Sequence, residues 1–177
     1  AMGRFEHEAA AVDPASGIVY LTEDRHRSLF YRFIPARPGE LARGGRLQAL
    51  AVRGQHNFDS RNWSDDTLAL NEPLAVSWVD LEEPDVRQND LRFRGHELGA
   101  AMFARGEGLT RNGDEFIFTC TIGGPERLGQ VFSYRPARAD DESDTLKLIA
   151  QSTSDSLLRN ADNVTISPWG DLIVCED

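Results

Sequence analysis

The chain has 177 residues, with 29 acidic against 19 basic side chains and a formal charge of −10. That balance argues against a nucleic-acid backbone or an anionic membrane as partner, and no apolar run approaches the roughly 18 residues that span a bilayer. The length suits one domain with a substantial core, or a piece of a larger one; with no signal peptide and an abrupt start and stop, an excised fragment is expected.

Glu8 to Asp24 predicts a β-hairpin that turns through Asp13 to Gly17 and closes on Glu23 and Asp24. A polar link at 25–28 leads to a strand at 29–34, a Pro/Gly break, and an alternating strand at 45–52. Residues 53–100 do not continue the pattern: a polar loop at 55–63, a strand at 74–81 stopped by Pro84, and room for a short helix within 85–104. This segment is either an insertion or a divergent blade. A second hairpin, 105–120, turns at Asn112-Gly113, the strongest short hairpin signal. Strands at 130–135 and 145–150 follow, with a Pro136 break between them. A third hairpin, 162–177, turns at Pro168-Trp169-Gly170 and again ends in Glu-Asp. Hairpin, third strand, polar loop, fourth strand: this order occurs twice and begins a third time. It predicts an all-β fold of four-stranded antiparallel β-propeller blades, a partial propeller forming one domain over 1–177.

The acids recur with the hairpins. Glu8, Glu107 and Asp162 open the three units, and Glu23, Glu176 and Asp177 close two of them. Folding 162–177 about Trp169 brings Asp162 opposite Glu176 to within about one residue of register, where like charges repel. Innermost strands of a propeller end at one channel mouth, so these carboxylates converge there. Hard oxygen donors suit Ca²⁺, Mg²⁺ or oxidised iron rather than zinc or copper; a solvated carboxylate at a hairpin end is the plainer alternative. Arg105, two residues before Glu107, faces the same way on a strand. Its guanidinium suits bidentate binding of an oxyanion, with a simple salt bridge as the alternative.

Other candidates read as structural. His7 points away from Glu8 and packs; His26, His56 and His96 lack metal-ligand spacing. Cys120 and Cys175 lie in apolar strands without a C-x-x-C pair, so packed thiols are expected rather than a disulfide. Trp169 reads as a packed turn. No Gly-x-Ser-x-Gly elbow or Cys/His signature supports a protein nucleophile.

The runs 3–10, 19–25 and 29–33, the tetrapeptide Arg105-Gly106-Glu107-Gly108 and the hairpin 162–177 together resemble the PhoX-type alkaline phosphatases. The resemblance covers most of the chain outside 53–100. It implies a β-propeller phosphomonoesterase, periplasmic or secreted, with calcium and iron (Ca²⁺, Fe³⁺) at the channel mouth and a phosphate-ester small molecule as substrate. Glu8, Glu107, Asp162 and Glu176 are then metal ligands, and Arg105 is the catalytic residue that binds substrate phosphate. Metals of this kind polarise phosphoryl oxygens and activate the attacking oxygen without a protein nucleophile. The family's Asn-Cys-Ala/Gly-Gly segment, whose cysteine holds iron, has no counterpart here, and neither Cys120 nor Cys175 sits in that motif. The resemblance therefore implies a parent protein with further blades and a fragment that is inactive alone. The alternatives are a non-catalytic calcium-binding propeller module and a calcium-dependent lactonase-type hydrolase; the Arg105-x-Glu107 pair favours an anionic substrate.

Overall fold

The aromatic and aliphatic residues of this chain alternate on strands buried from both sides, so the sheets come first and the loops are hung on them. The computed structural model describes residues 2–64, 67–139, 142–154 and 157–177. In chain order the elements are β1 (His7–Val12), β2 (Val19–Glu23), β3 (Tyr31–Pro35), β4 (Gly45–Val52), β5 (Leu74–Leu81), α1 (Leu91–Glu97), β6 (Gly106–Asn112), β7 (Glu115–Cys120), β8 (Gln130–Arg135), β9 (Thr145–Gln151), β10 (Ala161–Ile166) and β11 (Leu172–Glu176). The pairs β1–β2, β6–β7 and β10–β11 are the three predicted hairpins, all antiparallel.

The units β1–β4 and β6–β9 are four-stranded antiparallel blades, as expected of an all-β, propeller-like fold. They are not separate sheets, however. β5 pairs with β4 from Leu47↔Leu81 to Val52↔Val76, and its first residues, Leu74 and Ala75, pair with Leu146 and Thr145 of β9. The result is one nine-stranded sheet in the order β1-β2-β3-β4-β5-β9-β8-β7-β6, with β10–β11 apart from it. The sheet curls until its two end strands, β1 and β6, lie against each other, and β10 packs on the far side of β6. Curling covers strand edges that would otherwise stand open.

Strand alternation decides which core each side chain enters. Tyr20, Phe30, Leu50, Phe116, Phe118, Phe132 and Tyr134 meet between the two blades. Phe30 stacks on Phe118 with ring centroids 4.3 Å apart, and Tyr20 meets Phe116 at the same separation. The opposite faces carry Val19, Leu21, Tyr31 and Phe33 in the first blade, beneath Leu91 of α1, and Ile117 and Val131 in the second, beneath Ala161 and Val174. Burying an aromatic or large aliphatic side chain in this way contributes about 1.5–3 kcal/mol each.

Two expectations about the last hairpin need correction. Cys120 is a buried thiol, whose titration burial pushes up to about 12, but Cys175 is exposed rather than packed. Trp169 is 76% exposed, with its indole N–H donated to the Asp171 carboxylate, so the turn is not a packed one. On β11 Val174 packs against the second blade and Cys175, one residue on, takes the opposite face, while Trp169 stands in the turn beyond both strands.

Candidate functional site

The three hairpins lose register at the same place. His7 pairs with Glu23 and the next regular pair is Ala10 with Leu21. Gly106 pairs with Cys120, then Leu109 with Phe118; Ala161 pairs with Glu176, then Val164 with Val174. In each case two residues on the inner strand face one on its partner, and the first of those two is Glu8, Glu107 or Asp162. Such β-bulges bend a strand and re-aim its side chains. The repeated acid is thus the bulged residue, three times over.

Adjacent bulges are tied together by threonine hydroxyls bonded to backbone carbonyls. Thr22, opposite the first bulge, accepts from the Ala9 N–H at 3.0 Å and donates its hydroxyl to the Glu107 carbonyl at 2.5 Å. Thr119, opposite the second, donates to the Asp162 carbonyl. Glycine makes the approach possible on both sides of Glu107. A Cβ on Gly106 would stand 3.3–3.4 Å from Thr22 and Glu23 atoms. A Cβ on Gly108 would stand 2.7 Å from the Val164 nitrogen and 2.8 Å from the Asp162 carbonyl oxygen, both backbone. Gly108→Ala is therefore expected to destabilise the chain by about 1–3 kcal/mol, because backbone must move. An unchanged urea midpoint would show that β6 and β10 do not pack this closely.

Arg105 enters β6 with φ at +55°, in the left-handed region that a non-glycine residue occupies at a cost of order 1 kcal/mol or more. Its backbone is pinned by the Arg105 N–H to the Arg25 carbonyl at 2.8 Å and by the Thr121 N–H to its own carbonyl at 3.0 Å. The guanidinium donates Nε to Asp24 Oδ1 at 2.6 Å and Nη2 to Asp24 Oδ2 at 3.2 Å. Nη2 also reaches Glu107 Oε1 at 2.9 Å, although Arg105 precedes β6 and Glu107 lies in its bulge, so the pair meets without the strand alternation expected for it. The hydrogen bonds from Arg105 hold the Asp24 carboxyl below its usual range.

Glu107 is the buried member, 5% exposed. Burial foremost, then the negative charge of Asp24, push its carboxyl up to about 7 against the pull of Arg105; Glu8 and Asp162 push the same way. Arg105 thus contacts Glu107 and also Asp24, and Glu8 and Asp162 lie near enough to act on the charge of Glu107. Asp177 is close enough to act on the charge of Arg105. Glu176 sits opposite Ala161, exposed, its carboxylate accepting from the Arg159 N–H at 2.7 Å.

Glu23 is placed differently from the expectation that closing acids face the channel. It is fully buried, accepting from the Tyr31 hydroxyl at 2.7 Å and the Leu29 N–H at 3.3 Å. Residue parity explains this: on β2 the side chain of Glu23 shares a face with Leu21 and enters the core beneath α1, so Asp24 is the acid left at the mouth. The repeated Glu-Asp end was the available signal for Asp24, but it does not say which of the two turns inward.

The donors are hard oxygens whose charges repel, which suits a hard dication. Among the described residues, no three or more His, Cys, Asp or Glu side chains close into a group that could hold a metal. Beside Asp24 and Arg105 lies a cavity of about 440 Å³, whose wall also includes Arg25, Arg27 and Arg92. These arginines come from a polar link and from α1, and no spacing in the chain announced them.

No curated protein matches the chain. Among solved structures it is similar to one described as Pseudomonas fluorescens PhoX in complex with vanadate, a transition state analogue. The TM-score is 0.63 at 17% identity, over 99% of this chain and 39% of that one, so the likeness speaks for the fold. The family model described as alkaline phosphatase PhoX matches residues 1–177, the whole length of the sequence. With its Arg-Gly-Glu-Gly bulge and its repeated hairpins covered from end to end by that match, the chain belongs to the PhoX alkaline phosphatase family.

Proposed function

We propose that the chain forms part of the active site of a metal-dependent phosphomonoesterase. One observation carries the reading: Arg105 is clamped between Asp24 and the bulged acid Glu107, on whose charge the bulged acids Glu8 and Asp162 also act. A guanidinium among carboxylates is the arrangement that holds an anionic group beside bound cations. Glu8, Glu107 and Asp162, joined by Glu176, would hold Ca²⁺, and the same oxygens suit Fe³⁺. Bound there, such ions supply Lewis acidity toward phosphoryl oxygens and lower the pKa of a bound water.

What the chain's own residues do is separable from that. Asp24 fixes the guanidinium plane, so little side-chain entropy remains to be lost when Arg105 meets phosphate oxygens. Burial and the neighbouring acids disfavour the Glu107 anion even with Arg105 beside it, which couples the site's charge to what it binds. The chain spans 39% of the length of the similar structure, and in this reading further blades of a longer protein complete the ligand set, in a periplasmic or secreted setting. No helix among the described residues is long and apolar enough to cross a membrane. The 177-residue chain alone should bind calcium weakly and hydrolyse no ester.

The test uses the full-length protein. It should hydrolyse p-nitrophenyl phosphate in a metal-dependent way and leave a simple lactone untouched; the reverse preference would favour the lactonase reading. Calcium affinity should fall in Glu107→Gln and Glu176→Gln by at least the roughly 10- to 100-fold that loss of an outer-shell partner costs. Unchanged affinity on calorimetric titration removes these ligands from the account.

A further inference from the structure

The net charge of the chain is −10, yet the wall of the cavity beside Arg105 is basic: four arginines face two carboxylates, Glu6 and Asp24. Two of the four are already compensated. Arg25 is paired with Glu6, and Arg105 is held by Asp24 and Glu107. The other two are not compensated in the same way. Arg27 is exposed and makes no hydrogen bond or ion pair among the described residues. Arg92 is mostly buried, its Nη1 donated to the Asn89 carbonyl at 2.8 Å and to Asn89 Oδ1 at 2.9 Å. Its guanidinium lies 4.4 Å from the centre of the Phe93 ring, and its carboxylate neighbour, Glu23 Oε1, is no closer than 3.8 Å. In the same wall the Arg25 Nε is a buried donor without an acceptor among the described residues. A concave surface that gathers four guanidinium groups against two lining carboxylates, with Arg27 unpaired among the described residues and Arg92 only loosely paired, suits an anion.

The geometry points to a leaving-group subsite: the cavity takes a second phosphate, carried by the organic part of the ester whose first phosphate meets Arg105, and Arg27 and Arg92 hold it. The inference rests on the phosphatase reading of Arg105 and deepens it by naming the substrate class, bisphosphate or diphosphate esters. About 440 Å³ has room for a phosphate and a short carbon skeleton. A smaller cleft of about 110 Å³ adjoins it, sharing Arg27, Arg92 and Phe93 and lined further by Leu29, Met102, His96 and Glu97, so the carbon skeleton has a partly apolar wall to lie on. Arg92 and Phe93 belong to α1, within the 53–100 segment. The segment outside the repeated blades thus supplies half of the subsite.

Two measurements test this. In the full-length, metal-loaded protein, kcat/KM is compared for propane-1,3-diol bisphosphate and for propyl phosphate, which differ in the second phosphate. The ratio should favour the bisphosphate and should fall by about 10- to 100-fold in Arg27→Ala and in Arg92→Gln, the loss expected for one charge-assisted hydrogen-bonded contact. Gln keeps a long polar side chain against Phe93, and Arg27 is exposed, so each variant is read only after its folded state is confirmed by circular dichroism. Separately, inorganic pyrophosphate is titrated calorimetrically into the 177-residue chain and its two variants. Binding that weakens in both variants supports the subsite even if no ester is hydrolysed, an outcome that instead removes the phosphatase reading of Arg105. A bisphosphate preference unchanged by both variants overturns the inference, as does pyrophosphate binding that neither variant alters.

Discussion

Arg105→Ala in the full-length protein is expected to lower kcat/KM for phosphate-ester hydrolysis by about 30- to 1,000-fold, equivalent to roughly 2–4 kcal/mol. The expectation follows from how the guanidinium is held. Nε and Nη2 are committed to Asp24 and Glu107, which fixes its plane, and the side chain still has access to the cavity. Carboxylates hold cations, whereas a guanidinium adds a fork of donors to the substrate's oxygens. Metal content, measured by elemental analysis, should stay close to the unmodified value. Arg105→Lys keeps the charge without the fork and should recover only part of the loss. If Arg105 is no more than a salt bridge, the alanine variant will melt earlier, while the surviving folded enzyme keeps its kinetics unchanged.

The second large effect is on stability against pH. Glu23 is fully buried, and burial pushes its carboxyl up to about 7, despite the hydrogen bonds from Tyr31 and Leu29 and the charges of Arg92 and Arg25. A carboxyl with its folded pKa raised binds more protons folded than unfolded between the two values. Its contribution is therefore fully present below about 4.5, and stability falls as pH rises from there through about 7. The size is on the order of 3 kcal/mol for Glu23. Glu107, also pushed up to about 7, adds a slope of the same sign when no cation is bound. Asp13 and Asp24 have lowered values, so their losses fall below this window.

Glu23→Gln should therefore flatten the slope between pH 5 and 8 in the presence of a chelator, leaving the part due to Glu107. Glutamine keeps an acceptor for the Tyr31 hydroxyl and needs no proton to be neutral. Urea midpoints at several pH values, for both chains, supply the measurement. A slope identical in the two would mean that Glu23 is not the buried acid described here.

Much of this fold is written locally. The turns at Asp13 to Gly17, Asn112-Gly113 and Pro168-Trp169-Gly170 each act within a few residues, and all three hairpins form around them. The repeated positions of Glu8, Glu107 and Asp162 were legible for the same reason. Their bulges were not, because a bulge is a mismatch between two strands rather than a property of one. The Arg-Gly-Glu-Gly tetrapeptide showed an Arg and a Glu on one side; the need for its glycines became visible only when Thr22 and Val164 arrived from neighbouring units.

By itself, then, the sequence determined the strands, the turns, the blade order and the repeated positions of the opening acids, since short-range sterics and alternation govern these. Tertiary structure alone decided that β5 joins both blades into one sheet, a pairing of Leu74 with Leu146 that no local signal encodes. It also decided that Glu23 turns into the core while Asp24 takes Arg105, and that Arg27 of a polar link and Arg92 of α1 share one cavity. Those outcomes depend on which surface each strand meets: burial and electrostatics act through space between residues far apart in the chain.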